Sequence, residues 1–254
     1  MGEHRYKAVV IDLFDTLVNW NPEGLPLVEW HGREFRSTMP ILFPVLEAAL
    51  KDRFDRDAFM DAHATVYNEI FTERAGIDAL EITCLERFIR TLKLLGLDES
   101  EVAPLAESLR KTHMGRVREV TRAPAARIEA MKKIAKHLRV GLISNFDDSE
   151  TGQMIMDDTG IRDLFDAIII SADTGYRKPN PLIFKKILEM MHLESADILF
   201  VGDTPHDDVV GAKGVGMHCA WIRTRNRELP EGIPAPDIVI ADLAELPERI
   251  GLRD

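Results

Sequence analysis

Val9-Val10-Ile11-Asp12-Leu13-Phe14-Asp15-Thr16-Leu17, close to the start of this 254-residue chain, joins an apolar run to a carboxylate and a hydroxyl. The run 8–11 has the composition of a parallel strand buried on both faces. A carboxylate directly after such a strand lies at its C-terminal end, the edge where open α/β sheets bind their ligands. Asp12 is there as a nucleophile, a metal ligand or a turn residue, and this stretch alone leaves all three open.

Further apolar runs lie at 140–144, 167–171, 198–201, 219–222 and 238–240. Helical patterns separate them, such as Ile128, Met131, Ile134 and Leu138 on one face of a helix opened by Pro124. Strand–helix alternation predicts an α/β fold with a mainly parallel sheet covered by helices. The gap from Leu17 to Pro124 breaks the alternation. It reads as helices at 41–50, 57–73, 80–95 and 99–120, with no strand pattern of comparable strength. The expectation is an inserted α-helical cap at 19–121, closing over the sheet edge that Asp12 marks, with the core formed by 1–18 and 122–254. Residues 19–38 hold Pro22, Gly24, Pro26 and Gly32 and read as a hinge-and-loop segment.

The balance of 32 basic against 43 acidic residues gives a formal charge of −11. That argues against nucleic-acid or anionic-membrane partners, which need a basic face, and leaves room for a small anionic substrate. No apolar run approaches the ~20 residues of a membrane span. Cys84 and Cys219 stand alone without metal-ligand spacing and read as packing residues in a reducing compartment. The opening residues hold no signal-peptide core, so the expected location is cytoplasmic, with a monomer and a homodimer equally compatible.

Three later segments repeat the theme of the first. Val140-Gly141-Leu142-Ile143-Ser144-Asn145 ends a strand in a hydroxyl. Gly175-Tyr176-Arg177-Lys178-Pro179-Asn180-Pro181 places a lysine between a strand and a helix, where it could stabilise an ionised Asp12. Ile198-Leu199-Phe200-Val201-Gly202-Asp203-Thr204-Pro205-His206-Asp207-Asp208 puts three acids just past a strand end. Helix capping accounts for one of them, whereas hard oxygen ligands in a cluster suit Mg²⁺.

Together, in this order, the four segments resemble the haloacid dehalogenase superfamily, and the resemblance covers essentially the whole chain. It implies a Rossmann-like core with a helical cap inserted after the first strand. It also implies a hydrolase in which Asp12 is the nucleophile of an aspartyl-enzyme intermediate, a phosphoaspartate in most of the family. Thr16 and Ser144 would hydrogen-bond the transferring group, and Lys178 would orient nucleophile and substrate. Asp12, Asp203, Asp208 and the backbone carbonyl of Phe14 would bind Mg²⁺, with Asp203 the more direct ligand of the acidic pair and Asp207 in support. Asn145, Arg33 and His31 are the candidate substrate contacts, and the implied substrate is a small phosphate monoester.

One position departs from the family pattern. Phosphatases of this superfamily usually carry an acid–base Asp two residues after the nucleophile, and here that position is Phe14. Asp15 reads as a turn residue, and His31 or His206 is a minority alternative as proton donor. An aromatic residue at position 14, with Ser144-Asn145, is also similar to the metal-independent 2-haloacid dehalogenases, which typically carry Tyr where this chain has Phe184. The acidic fourth segment favours the phosphatase, because burying clustered carboxylates without a cation is costly. A ligand-binding protein with weak catalysis is a third alternative.

Overall fold

Six apolar runs form one sheet: β1 (Ala8–Ile11), β2 (Arg139–Ser144), β3 (Ala167–Ile170), β4 (Ile198–Gly202), β5 (His218–Ile222) and β6 (Ile238–Ile240). In the computed structural model, which describes residues 5–75, 78–224 and 228–252, they lie in the order β6-β5-β4-β1-β2-β3. Every neighbouring pair is parallel. All four residues of β1 are apolar and buried, and its neighbours are buried apart from Arg139 at the start of β2, the pattern of strands covered on both faces. The chain runs outward from β1 to β3, then returns to the other side of β1 with β4. The order of strands therefore reverses between β1 and β4, where open α/β sheets form their binding crevice.

The core of this unit is packed closely. Phe184, on the helix Pro181–Met191, is fully buried with its ring 5.3 Å from that of Phe200 on β4. That helix is capped by Asn180, whose Oδ1 accepts from the Leu182 N–H. Phe184 is thus a core residue.

The chain divides into two compact units, one of Met1–Asn19, Gly76–Glu81 and Arg122–Asp254, the other of Trp20–Ala75 and Ile82–Thr121. The second unit contains helices Met39–Leu50, Arg56–Glu73, Cys84–Leu94 and Glu99–Glu119. Leu42, Leu46, Phe59, Ile70, Phe88 and Leu109 are among its fully buried side chains. Among the described residues, no helix is long and apolar enough to cross a membrane.

Two expectations change here. The segment 19–38 is not only hinge and loop, because Leu27–Trp30 and Arg33–Arg36 pair as an antiparallel hairpin. Its turn residues, His31 and Gly32, both have positive φ (48° and 69°), the geometry of a two-residue hairpin turn. A histidine at the first turn position, in place of the usual Asn or Asp, hid that signal. The helix read as 80–95 starts only at Cys84. Thr83 caps it by accepting from the Glu86 N–H, and 78–81 instead joins the sheet unit, with the Glu81 N–H donating to the Gly175 carbonyl at 2.9 Å.

Inside the second unit, His63 sits edge-on between Phe59 and Phe88, with centroids 6.2 and 5.7 Å away. Its Nε2 is buried without a hydrogen-bond partner among the described residues. Burial first, then the Arg87 charge, pulls its pKa down to about 4. In the unfolded chain a histidine takes up its proton near pH 6.5. The folded state therefore keeps this stability in full above pH 6.5 and loses it as pH falls toward 4, by roughly 3 kcal/mol in all. His63→Phe removes a site that, between pH 6.5 and about 4, takes up its proton mainly in the unfolded state. The stability difference between wild type and H63F, measured by urea unfolding at pH 7.5 and pH 4.5, is expected to shift in favour of the variant at the lower pH. An unchanged difference would show that His63 ionises freely in the folded protein.

Candidate active site

β1 pairs into Asp12, whose N–H donates to the Val201 carbonyl at 2.8 Å, so the carboxylate starts from a fixed backbone position beside β4. The next residues fold into a tight turn. Asp15 takes a left-handed conformation (φ 58°), its N–H donates to the Val18 carbonyl, and the Leu17 and Val18 N–H groups both donate to the Leu13 carbonyl. This turn buries Thr16 completely.

Lys178 arrives from the loop before the helix Pro181–Met191. Asn145, just past β2, clamps that loop from both sides: its Oδ1 accepts the Lys178 N–H at 2.7 Å and its Nδ2 donates to the Lys178 carbonyl at 3.0 Å. The Lys178 side chain is 2% exposed. Its Nζ lies 2.6 Å from Asp12 Oδ1, 2.7 Å from Asp208 Oδ1 and 3.1 Å from the Ile143 carbonyl. The ammonium thus donates to Asp12 and to the Ile143 carbonyl and is ion-paired with Asp208.

The acids after β4 are set by backbone geometry. The Asp203 carbonyl accepts from Trp221 Nε1 at 3.0 Å, and Pro205–Val209 forms a π-helical turn that brings Asp208 back under the strand end. There Asp208 Oδ2 accepts the Thr204 N–H at 2.9 Å. Gly202 makes this possible, since a Cβ at that position would fall 2.2 Å from Asp208 Oδ2.

Asp12, Asp203 and Asp208 offer oxygens that all lie within 4.8 Å of one another. They line a cavity of about 200 Å³ together with Asp15, Asp207, Arg177 and Lys178. Burial raises the Asp12 carboxyl to about 6 against the pull of Lys178, with Asp208 adding to the rise. Burial likewise raises Asp203 to about 6, reinforced by Asp12 and Asp15. Asp208 is also raised by burial, with Lys178 opposing. For Lys178 burial favours the neutral amine, but Asp12 and Asp208 together outweigh it and hold the ammonium above its ordinary value.

Three carboxylates facing one ammonium leave two uncompensated negative charges in a buried site. A divalent cation with hard oxygen ligands fits that deficit. Asp208 is the least available of the three as a ligand, because Lys178 and the Thr204 N–H engage its two oxygens. Asp203 and Asp12 have more free coordination capacity. The hydroxyls of Thr16 and Ser144 are buried with no hydrogen-bond partner among the described residues, which suits donors reserved for a ligand.

Other residues singled out from the sequence fall elsewhere. Phe14 packs its ring 4.9 Å from that of Phe146 and supplies no acid. Asp15 is in the turn, as expected, and also lines the cavity. Asp207 accepts from Asn145 Nδ2 at 3.1 Å, and His206 is exposed beside it. His31 and Arg33 belong to the hairpin of the second unit, where His31 Nε2 lies 2.8 Å from Asp61 and Arg33 is exposed. Sequence reading missed Arg177 on the cavity wall, although it directly precedes Lys178. It also missed Trp221, 18 positions from the Asp203 it helps to place, for which no local signal exists.

The family model for haloacid dehalogenase-like hydrolases matches residues 6–216. The pyrimidine 5′-nucleotidase YjjG of Escherichia coli (strain K12) is 35% identical over 120 residues, 47% of this chain and 52% of that one, so this chain spans about half the length of that relative. The phosphoserine phosphatase of Thermus thermophilus is 28% identical over 252 residues, 94% of this chain and 97% of that enzyme. In fold, the chain is similar to a 2-haloacid dehalogenase from Pseudomonas syringae pv. Tomato DC3000, with a TM-score of 0.69, 21% identity and coverage of 96% and 97%. A strand-end carboxylate, a buried lysine and an acid cluster thus sit within a match that runs through most of the sequence, and this chain belongs to the haloacid dehalogenase-like hydrolases.

Proposed function

We propose that this hydrolase is a Mg²⁺-dependent phosphatase of a small phosphorylated metabolite, working through an aspartyl-phosphate on Asp12. The observation that carries this reading is the group of three carboxylates, two buried and one half-buried, served by the single ammonium of Lys178, whose two excess negative charges call for a divalent cation. Relatives named as a nucleotidase and a phosphoserine phosphatase point the same way. A metal-free dehalogenase has no use for such a cluster. Cys84 and Cys219, both free and buried, fit the reducing cytoplasm in which we place the activity.

In this mechanism Lys178 binds Asp12 through Oδ1 and fixes the plane of the carboxylate, leaving Oδ2 outside the ion pair for attack on phosphorus. Thr16 and Ser144 donate to phosphoryl oxygens, which satisfies two buried hydroxyls. Asp12, Asp203 and the Phe14 carbonyl would hold Mg²⁺, with Asp208 supporting from its bonds to Lys178 and Thr204. When bound, the ion neutralises phosphoryl charge and polarises the P–O bonds. Phe14 donates no proton, so the alcohol departs largely on its own. Substrates with acidic leaving groups are therefore favoured, and cap residues such as His31 and Arg33 are proposed to complete the substrate contacts.

Phosphate release from 4-nitrophenyl phosphate is expected with Mg²⁺ and to be lost in EDTA. Asp12→Asn is expected to lower it by at least ~10³-fold while the protein still folds. Halide release from 2-haloacids in EDTA, without phosphate release, would overturn the reading in favour of a dehalogenase. Phe14→Asp should raise turnover of alkyl phosphates about 10²-fold relative to aryl phosphates, since general acid help matters most for poor leaving groups. An unchanged ratio of the two would mean that another group already protonates the leaving oxygen. Gly202→Ala, by displacing Asp208, is expected to lower kcat about 10²-fold and stability by about 1–3 kcal/mol. Retained activity would show that Asp208 is not needed where it stands.

A further inference from the structure

Resting on the phosphatase reading, we infer that Arg177 is a substrate-binding residue that selects esters whose leaving group carries an anionic oxygen, and that Glu81 is the positioning residue that aims it. The cavity wall is short of charged donors. Arg177 and Lys178 are the cationic side chains of the cavity wall, which otherwise presents five aspartates. Lys178 is buried and held by Asp12, Asp208 and the Ile143 carbonyl, so its charge is committed to those two aspartates. The neutral polar groups of the same wall are Asn145 and Thr204, and Arg177 is the cationic side chain of the lining that is not committed to those aspartates.

Arg177 is built into place. Its guanidinium meets Glu81 through Nη1 alone, at 3.2 Å from Oε1 and 3.3 Å from Oε2, so Nε and Nη2 stay out of the ion pair. The Glu81 side chain is 0% exposed and that of Arg177 20% exposed. Glu81 Oε2 also accepts from Ser171 Oγ at 2.5 Å, and Ser171 in turn accepts the Phe146 N–H at 2.9 Å. Backbone pairing locks the same contact: the Glu81 N–H donates to Gly175 and the Arg177 N–H donates to Ala79, with Leu80 and Tyr176 bridged between them. A buried carboxylate reached by a chain segment from the far side of the sequence, and held by both side-chain and backbone contacts, is a support that fixes the guanidinium fork rather than a surface ion pair. A planar fork held on one side presents its remaining N–H groups for recognition of a carboxylate or a second phosphate.

The partial exposure of Arg177, against the full burial of Lys178, Thr16 and Ser144, places it on the outer part of the wall. The phosphoryl group belongs with the buried donors, and the anionic group of the leaving alcohol belongs with Arg177.

The test uses two competitive inhibitors of 4-nitrophenyl phosphate hydrolysis by the full chain with Mg²⁺. Phosphoglycolate and ethyl phosphate differ by a carboxylate in place of a methyl. Wild type is expected to bind phosphoglycolate at least about tenfold tighter, the size of a charge-assisted hydrogen bond. Arg177→Gln should bring the ratio of inhibition constants close to one, and Arg177→Lys should restore part of it. Glu81→Gln should lower the ratio too, an effect that a mere loss of stability, followed by thermal melting, does not produce. A wild-type ratio near one, or a ratio that Arg177→Gln leaves intact, would overturn the inference while the phosphatase reading stands. Absence of 4-nitrophenyl phosphate hydrolysis by wild type would overturn the phosphatase reading and the inference together.

Discussion

The ammonium of Lys178 is the interaction on which the site depends. It is a single positive charge, buried, with Asp12 and Asp208 at 2.6 and 2.7 Å and a backbone carbonyl completing its shell. Burying any one of these charges alone would be prohibitive, and removing one member of such a pair typically costs about 3–5 kcal/mol. The fold meets this by supplying the partners from four separate segments that the parallel sheet brings to one edge. β1 delivers Asp12, β2 delivers the Ile143 carbonyl and the Asn145 clamp, and the segments after β3 and β4 deliver Lys178 and Asp208. The strands must be parallel for all four ends to meet on the same side.

The arrangement is only half balanced by the protein. Lys178 neutralises one of three carboxylates, and the burial that raises Asp12 and Asp203 to about 6 measures how much those groups resist being charged without a further cation. The same imbalance is the ground on which the phosphatase reading is proposed over the dehalogenase one. Lys178 leaves the charge of Asp203 unmatched, whereas Phe14 contributes a packing contact with Phe146.

Much of the sheet was legible from the chain alone. All six core strands were readable within one or two residues, since a parallel strand buried on both faces is an uninterrupted apolar run and nothing else of that length competes. The hairpin at Leu27–Arg36 was not, because Arg33–Arg36 is exposed throughout and so carries no hydrophobic alternation. The false start of the helix at 80 has a similar cause. Leu80 and Ile82 continue a helical apolar spacing, but Glu81 between them is buried in the sheet unit by Arg177 and Ser171, and this long-range pairing overrides local propensity.

The sequence by itself determined which strand ends carry chemistry: a carboxylate, a hydroxyl, a lysine and an acid cluster each follow an apolar run, and strand ends are where a sheet exposes side chains to ligand. Only the tertiary structure decided how those groups divide the work. It committed the charge of Lys178 to Asp12 and Asp208, left Thr16 and Ser144 without partners among the described residues, and set Arg177 against Glu81 from 96 positions away. Those outcomes depend on distances between segments remote in the chain. Hydrogen-bond capacity is local to a residue, but its satisfaction is a property of the packed molecule.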